Sequence, residues 1–109
     1  RDYEHEIARR VCTLGPSVVS TGGGMLTFDR NGEILAKNGM IFYIDRPFED
    51  CYANLAQHPE RPLFKNHTKK EVQDMYLIRR DLYRKYAKFD IKNTGRAGEA
   101  AEKICDLLK

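Results

Sequence analysis

The stretch Ser17-Val18-Val19-Ser20-Thr21-Gly22-Gly23-Gly24 predicts a short buried strand that ends at three consecutive glycines. Because glycine has no Cβ, the backbone there can adopt a positive φ and can approach another group closely. In open α/β sheets, ligands bind beyond the carboxyl ends of the strands, where such loops lie. The stretch therefore predicts either a ligand-binding loop or a plain turn, and the arginines elsewhere in the chain favour the loop.

The other predicted elements alternate around this strand. Apolar residues 40–44 predict a second strand, and the alternation of Phe89 and Ile91 predicts a third. Apolar residues at helical spacing predict helices over about 3–14, 30–37, 48–55, 69–86 and 97–108. Apolar strands separated by helices indicate a parallel sheet covered on both faces. We therefore predict one small α/β domain.

Composition and charge restrict the classes of partner. The chain has 109 residues, 41% of them hydrophobic, and no apolar run approaches membrane-spanning length. The net charge is +3, and residues 55–109 carry thirteen basic against eight acidic side chains. This mild excess indicates a small anionic partner rather than a nucleic acid or a membrane, since no basic stripe is interleaved with aromatic residues. Three widely spaced cysteines indicate reduced thiols and a cytoplasmic location.

The candidate site consists of the glycine loop and arginines on separate elements. Two prolines and a lack of periodicity over residues 58–68 predict a mobile loop, which carries Arg61. On the longest helix, the like charges of Arg80 and Arg84 repel each other unless Asp81 or a bound anion relieves them. Guanidinium groups bind carboxylates and phosphates through paired hydrogen bonds. The residues thus predict an anion-binding site under a loop. The spacing of the histidines and cysteines predicts no metal site.

Four stretches resemble the shikimate kinase family, a group of small P-loop kinases, in their order and approximate spacing. They are Arg1-Asp2-Tyr3-Glu4, Val19-Ser20-Thr21-Gly22-Gly23-Gly24, Arg61-Pro62-Leu63-Phe64 and Asp81-Leu82-Tyr83-Arg84. The resemblance covers essentially the whole chain, which matches the C-terminal two-thirds of the length of a family member. It implies a three-layer α/β/α fold of the nucleoside-monophosphate-kinase type, with a parallel sheet of order 2-3-1-4-5, of which strands 3, 4 and 5 are in this chain.

The resemblance also implies an activity, a cofactor and a domain plan. The family transfers the γ-phosphate of ATP, with Mg²⁺, to the 3-hydroxyl of shikimate, in the chorismate pathway of aromatic amino acid biosynthesis. Residues 1–109 are then expected to be part of a single, monomeric kinase domain. Its substrate-binding region is expected at about 1–39, its lid at about 58–68, and a C-terminal core and nucleotide-side region at about 69–109.

By the same resemblance, individual residues receive roles. Arg1 and Arg84 are expected to bind the shikimate carboxylate from two helices, and Gly22–Gly24 to offer backbone N–H groups to the substrate. Arg61 is expected to contact ATP and to reach the transferring phosphate as the catalytic residue. Glu4 is expected to orient Arg1. These residue types suit phosphoryl transfer, which depends on positioning and charge neutralisation.

Two departures from the family pattern bear on these expectations. Asn54 stands where the family usually has an arginine that stacks on adenine, and Arg96 is the candidate substitute. The phosphate-binding glycine loop with the main Mg²⁺ site, the early aspartate for the shikimate hydroxyl, and strands 1 and 2 have no match in residues 1–109. Strand 1 lies between strands 3 and 4 in the family, so we expect these residues alone not to fold stably. Two alternatives remain open: another P-loop small-molecule kinase, and a non-catalytic ligand-binding or regulatory domain derived from a kinase.

Overall fold

The chain folds around a two-stranded parallel sheet in a computed structural model that describes residues 2–109. Its elements in chain order are α1 (Asp2–Val11), a 3-10 turn (Met25–Thr27), α2 (Asp29–Asn38), β1 (Phe42–Asp45), α3 (Phe48–Ala56), α4 (Pro62–Lys65), α5 (Lys69–Tyr86), β2 (Phe89–Lys92) and α6 (Ala97–Leu108). Because helices separate the two strands and the strands run parallel, the α/β fold prediction is confirmed.

The sheet is formed by the two apolar strands that the sequence predicts around residues 40–44 and 89–91. Phe42 lies opposite Phe89, and Ile44 lies opposite Ile91. The two phenylalanine rings stack with their centroids 5.7 Å apart. Ile91 is only 4% exposed, which places it in the core between the sheet and the helices. Cross-strand contacts of this kind fix the register of the pair.

The strand predicted at residues 17–20 is not formed, and this corrects the expectation of three strands. These residues carry no regular secondary structure, and the side chain of Val18 is 98% exposed. A strand needs a neighbour whose N–H and C=O groups complete its hydrogen bonds. Within residues 2–109, a groove of about 810 Å³ lies instead between residues 17–23 and residues 39–44.

The groove leaves the chain with more surface than a compact domain of its mass. The accessible surface is 7958 Å², whereas a compact 12.6 kDa protein has about 6,200 Å². The radius of gyration is 15.1 Å, against about 13 Å for a compact chain of this length. Exposed apolar side chains line the groove, namely Leu14, Val18, Val19, Met40, Ile44 and Leu108. The described residues therefore leave the sheet open beside β1.

A buried asparagine holds the turn that follows the three glycines. Asn31 on α2 is fully buried. Its side-chain amide donates to the carbonyl of Met25 over 3.0 Å, and its Oδ1 lies 2.9 Å from Nδ1 of His5 on α1. A buried amide with both ends paired avoids the cost of unsatisfied polar groups. Asn31 thus joins α1, α2 and the end of the glycine loop.

Helix α5 has the bounds that its periodicity predicts. Thr68 and Glu71 form a capping box at its start, with Thr68 Oγ1 accepting from the Glu71 N–H and Glu71 Oε1 accepting from the Thr68 N–H. These hydrogen bonds lower the pKa of Glu71. Two backbone N–H donors at the helix start are thereby satisfied. Val72, one residue further, is buried against the rest of the fold.

The predicted loop over residues 58–68 contains one turn of helix, α4, which corrects the expectation of an irregular segment. Pro62 occupies its first turn, where the missing N–H of proline costs nothing. The Phe64 ring packs against Tyr52 of α3, with centroids 5.8 Å apart. This contact docks the segment, called the lid below, onto α3.

Two further features concern the environment of the chain. Cys12, Cys51 and Cys105 are all free in this structure. Burial raises the pKa of the Cys51 thiol. In the part of the chain that the structure describes, none of the helices combines the length and the apolar character needed to cross a bilayer.

Candidate active site

The glycine loop leads directly into the 3-10 turn. The Met25 N–H donates to the Gly22 carbonyl over 3.4 Å, and the Thr27 N–H donates to the Gly24 carbonyl over 3.2 Å. No glycine among residues 2–109 has a positive φ, so this loop does not use the left-handed backbone that glycine permits. Glycine matters here because it lets side chains approach the backbone closely, and this occurs at Gly23.

Gly23 is the point at which the loop meets helix α5. The Tyr83 hydroxyl donates to the Gly23 carbonyl over 2.5 Å. A Cβ built on Gly23 would lie 3.3 Å from the Tyr83 hydroxyl oxygen and 3.5 Å from Nη1 of Arg79. By contrast, nothing lies within 4 Å of a Cβ built on Gly22 or Gly24. The loop is therefore held at its centre and open on either side.

Arg79 is the functional candidate that the sequence analysis missed. Its side chain is exposed, and it forms no ion pair with any carboxylate of residues 2–109. Tyr76 precedes it by three residues and Tyr83 follows it by four, so all three lie on one face of α5. A cation on the core-facing stripe of a helix was the signal that could have identified it.

Arg84, which the sequence analysis assigned to the substrate, has other partners. Its Nε lies 2.9 Å from a carboxylate oxygen of Asp90, and its Nη2 lies 3.2 Å from one of Asp45. Desolvation lowers the pKa of Arg84, but the charges of the two carboxylates raise it by more, so its pKa lies above the ordinary arginine value. The guanidinium also lies over the Tyr43 ring, 5.9 Å from its centroid. Asp45 and Asp90, rather than Asp81 or an anion, thus neutralise this arginine.

The Tyr43 side chain belongs to the same cluster. Burial first, and then the charge of Asp45, raises the pKa of Tyr43, whose hydroxyl donates to Asp45 over 3.3 Å. The ring lies 5.4 Å from that of Tyr83 at an angle of 47°. Tyr43 therefore links the ion-paired arginine to the tyrosine that holds the glycine loop.

A cleft of about 350 Å³ lies beside this junction, between the carboxyl end of β1 and helices α3, α4 and α5. Its wall is largely aromatic and aliphatic, and three arginines, Arg46, Arg61 and Arg79, also line it. Arg61 stands immediately before the lid helix and forms no ion pair within residues 2–109. An apolar pocket with a few convergent cations suits a small organic anion.

The other predicted site residues are placed as follows. Arg1 lies outside the described residues. Glu4 is half-buried on α1, and Arg96 is exposed at the residue before α6. Asn54, on α3, lines the cleft. Within residues 2–109, no group of three or more histidine, cysteine or acidic side chains could hold a metal ion.

Comparison with known proteins gives one consistent result. The family model "Shikimate kinase" matches residues 1–109. A shikimate kinase from Clostridium botulinum (strain Alaska E43 / Type E3) is 34% identical over 108 residues, which cover 99% of this chain and 64% of that protein. One from Caldicellulosiruptor bescii is 33% identical, with coverage of 98% and 63%.

A solved structure gives the same match in three dimensions. The shikimate kinase from Acinetobacter baumannii in complex with shikimate superposes with a TM-score of 0.85 at 29% sequence identity. The match covers 98% of this chain and 61% of that one. The chain thus spans a little less than two thirds of the length of the relatives that it matches.

Proposed function

The chain belongs to the shikimate kinase family, and from this premise we propose that residues 1–109 form the substrate-binding and lid part of a shikimate kinase. The proposed reaction transfers the γ-phosphoryl group of ATP to the 3-hydroxyl of shikimate and yields shikimate 3-phosphate, a step of chorismate and aromatic amino acid biosynthesis. One observation carries the proposal: Arg79 meets Gly23 of the glycine loop beside a cleft that Arg61 also lines. The neighbour solved with shikimate supports this choice of substrate.

The carboxylate of shikimate is assigned to Arg79, with Arg1 as the second partner. A guanidinium can bind both carboxylate oxygens at once, which fixes the orientation of the ring as well as its position. Arg79 replaces Arg84 in this role because Arg84 already neutralises two carboxylates. The function of Glu4, to orient Arg1, stays a prediction.

The backbone of Gly22–Gly24 is assigned to the substrate as well. Open space beside Gly22 and Gly24 lets a ligand reach the main chain there. Backbone N–H groups held in a fixed loop can donate to a hydroxyl or carboxylate without reorganisation during the reaction. The loop would then form the floor of the substrate site, with Arg79 at its side.

Arg61 is assigned to the transferring phosphoryl group and to ATP. It is exposed, and its position at the start of the lid helix allows it to approach a ligand as the lid closes. Positive charge beside the transferring group stabilises the charge that spreads over its oxygens. ATP with Mg²⁺ is the proposed phosphoryl donor, and no metal ligand is assigned to the described residues. Arg96 as the contact to adenine, in place of an arginine at Asn54, stays a prediction.

The domain plan is part of the same proposal. Residues 1–109 are taken as part of a single kinase domain, with the substrate region at about 1–39, the lid at about 58–68 and the core and nucleotide side at about 69–109. The apolar groove beside β1 supports a further strand supplied by polypeptide outside these residues. The full-length protein is proposed to be a cytoplasmic monomer.

The test is an assay of the natural full-length protein with ATP, Mg²⁺ and shikimate. Shikimate-dependent release of ADP, together with a new phosphomonoester signal in the ³¹P NMR spectrum, is the expected result. A higher kcat/KM for another hydroxylated carboxylic acid would indicate a different small-molecule kinase. Binding of shikimate without any ADP release would indicate a non-catalytic domain, and either outcome would contradict the proposed activity.

A further inference from the structure

Tyr83 connects three parts of the candidate site that are far apart in sequence. Its hydroxyl donates to the carbonyl of Gly23, sixty residues away, over 2.5 Å. Its ring packs on Tyr43 of β1, with centroids 5.4 Å apart. Arg79 precedes it by one helical turn, and Nη1 of Arg79 reaches the same glycine. One side chain therefore bridges the sheet, the glycine loop and the arginine-bearing face of α5.

We propose that Tyr83 is a positioning residue, which sets the glycine loop and Arg79 at the spacing that one substrate molecule needs. This inference rests on the proposed function. A peptide unit is planar and trans, so its C=O and N–H groups point in opposite directions. By fixing the Gly23 carbonyl, the Tyr83 hydroxyl therefore also fixes the direction of the Gly24 N–H. Nothing lies within 4 Å of a Cβ built on Gly24, so there is open space beside that residue in which a ligand could accept a hydrogen bond from the loop.

The hydroxyl, and not the ring, carries this role. The ring of Tyr83 packs between Tyr43 and the cleft, and a phenylalanine would preserve that packing. The hydroxyl is the group that hydrogen-bonds to the main chain of the loop. Tyr83→Phe thus frees the Gly23 carbonyl while it leaves the apolar contacts in place.

The experiment compares Tyr83→Phe with Tyr86→Phe in the full-length protein. Tyr86 lies one turn further along α5, and its hydroxyl donates to the carboxylate of Asp29, outside the candidate site. Both variants therefore remove one hydroxyl and one hydrogen bond from the same helix. For Tyr83→Phe we expect kcat/KM for shikimate to fall about tenfold, which is the order of one positioned hydrogen bond. The KM for ATP is expected to stay within about twofold of the wild-type value.

Hydrogen–deuterium exchange of the peptide over residues 21–27, without substrate, gives a readout that does not depend on activity. Exchange is expected to accelerate in Tyr83→Phe and to stay at the wild-type rate in Tyr86→Phe. Equal exchange and equal kcat/KM in the two variants would overturn the positioning role while the wild type remains active. A wild-type protein that does not phosphorylate shikimate would overturn the proposed function, and with it this role. The two failures are therefore distinguishable.

Discussion

Substitution of Arg79 and Arg84 in turn tests the proposal that Arg79 binds the substrate whereas Arg84 supports the fold. Arg79 is exposed, lies at Gly23 and has no ion-pair partner within residues 2–109. Arg79→Ala removes the hydrogen bonds of a charged donor to the shikimate carboxylate. Such bonds correspond to a change of about 10- to 150-fold in affinity. We expect the KM for shikimate to rise by that factor, with the thermal unfolding temperature unchanged because the side chain is exposed and forms no ion pair within residues 2–109.

The opposite pattern is expected for Arg84→Ala. This change leaves Asp45 and Asp90 without their cation, so the unfolding temperature is expected to fall while the KM for shikimate stays within about twofold of wild type. Steady-state kinetics with shikimate varied at saturating ATP, and thermal unfolding followed by circular dichroism, measure both effects on full-length protein. Arg79→Lys keeps the charge but loses the planar fork, and an intermediate KM is expected. A raised KM in Arg84→Ala, together with a normal KM in Arg79→Ala, would refute the assignment.

Three further predictions follow from the lid, a helix contact and the open groove. Arg61→Ala is expected to lower kcat by about 10²- to 10³-fold, measured as shikimate-dependent ADP release, because a charge beside the transferring phosphoryl group is lost; an unchanged kcat would remove Arg61 from the catalytic step. Gly32→Ala places a Cβ 2.4 Å from the Tyr86 ring and is expected to destabilise the fold by about 1–2 kcal/mol in chemical denaturation, whereas Gly98→Ala, with nothing within 4 Å, is expected to be neutral or stabilising. Isolated residues 1–109 are expected to show no cooperative thermal transition as a dilute monomer, and a sharp transition would contradict this.

The predictable parts of the fold depend on local pattern. Helix α5 was predicted with its observed bounds because its apolar residues repeat at helical spacing, and the structure adds a capping box at its start. Short apolar runs between helices predicted strands β1 and β2. Residues 17–20 have a similar pattern, yet they form no strand, because a strand also needs a partner elsewhere in the chain. A sequence pattern indicates the tendency of a segment to form a strand but not whether a neighbouring strand is present to pair with it.

The site was predicted at the level of residue types, and the structure adds Arg79, on a different face of α5 from Arg84, as a candidate. Arg79 and Arg84 both lie on α5, and Arg84 was favoured through its place in the stretch Asp81-Leu82-Tyr83-Arg84, which resembles the family, and through its like-charge spacing from Arg80. Asp45 and Asp90 pair with Arg84 from the two strands, and Asp45 lies 39 residues away in sequence. Arg79, in contrast, shares its face with Tyr76 and Tyr83, which contact the rest of the fold. A charged residue on such a face is therefore the better indicator of a site than a pair of like charges on the surface.

The open groove and the candidate active site share one wall, so completion of the sheet and assembly of the site are coupled. Tyr43, Ile44 and Tyr83 line both the groove and the cleft. A strand that filled the groove would pack against the Tyr43–Tyr83 pair, and Tyr83 holds Gly23 through its hydroxyl. Side chains in a close-packed interior move little once their neighbours are in place. A strand in the groove would therefore restrict the same tyrosine that is proposed to position the glycine loop, so on this proposal filling the groove and ordering the substrate site are coupled.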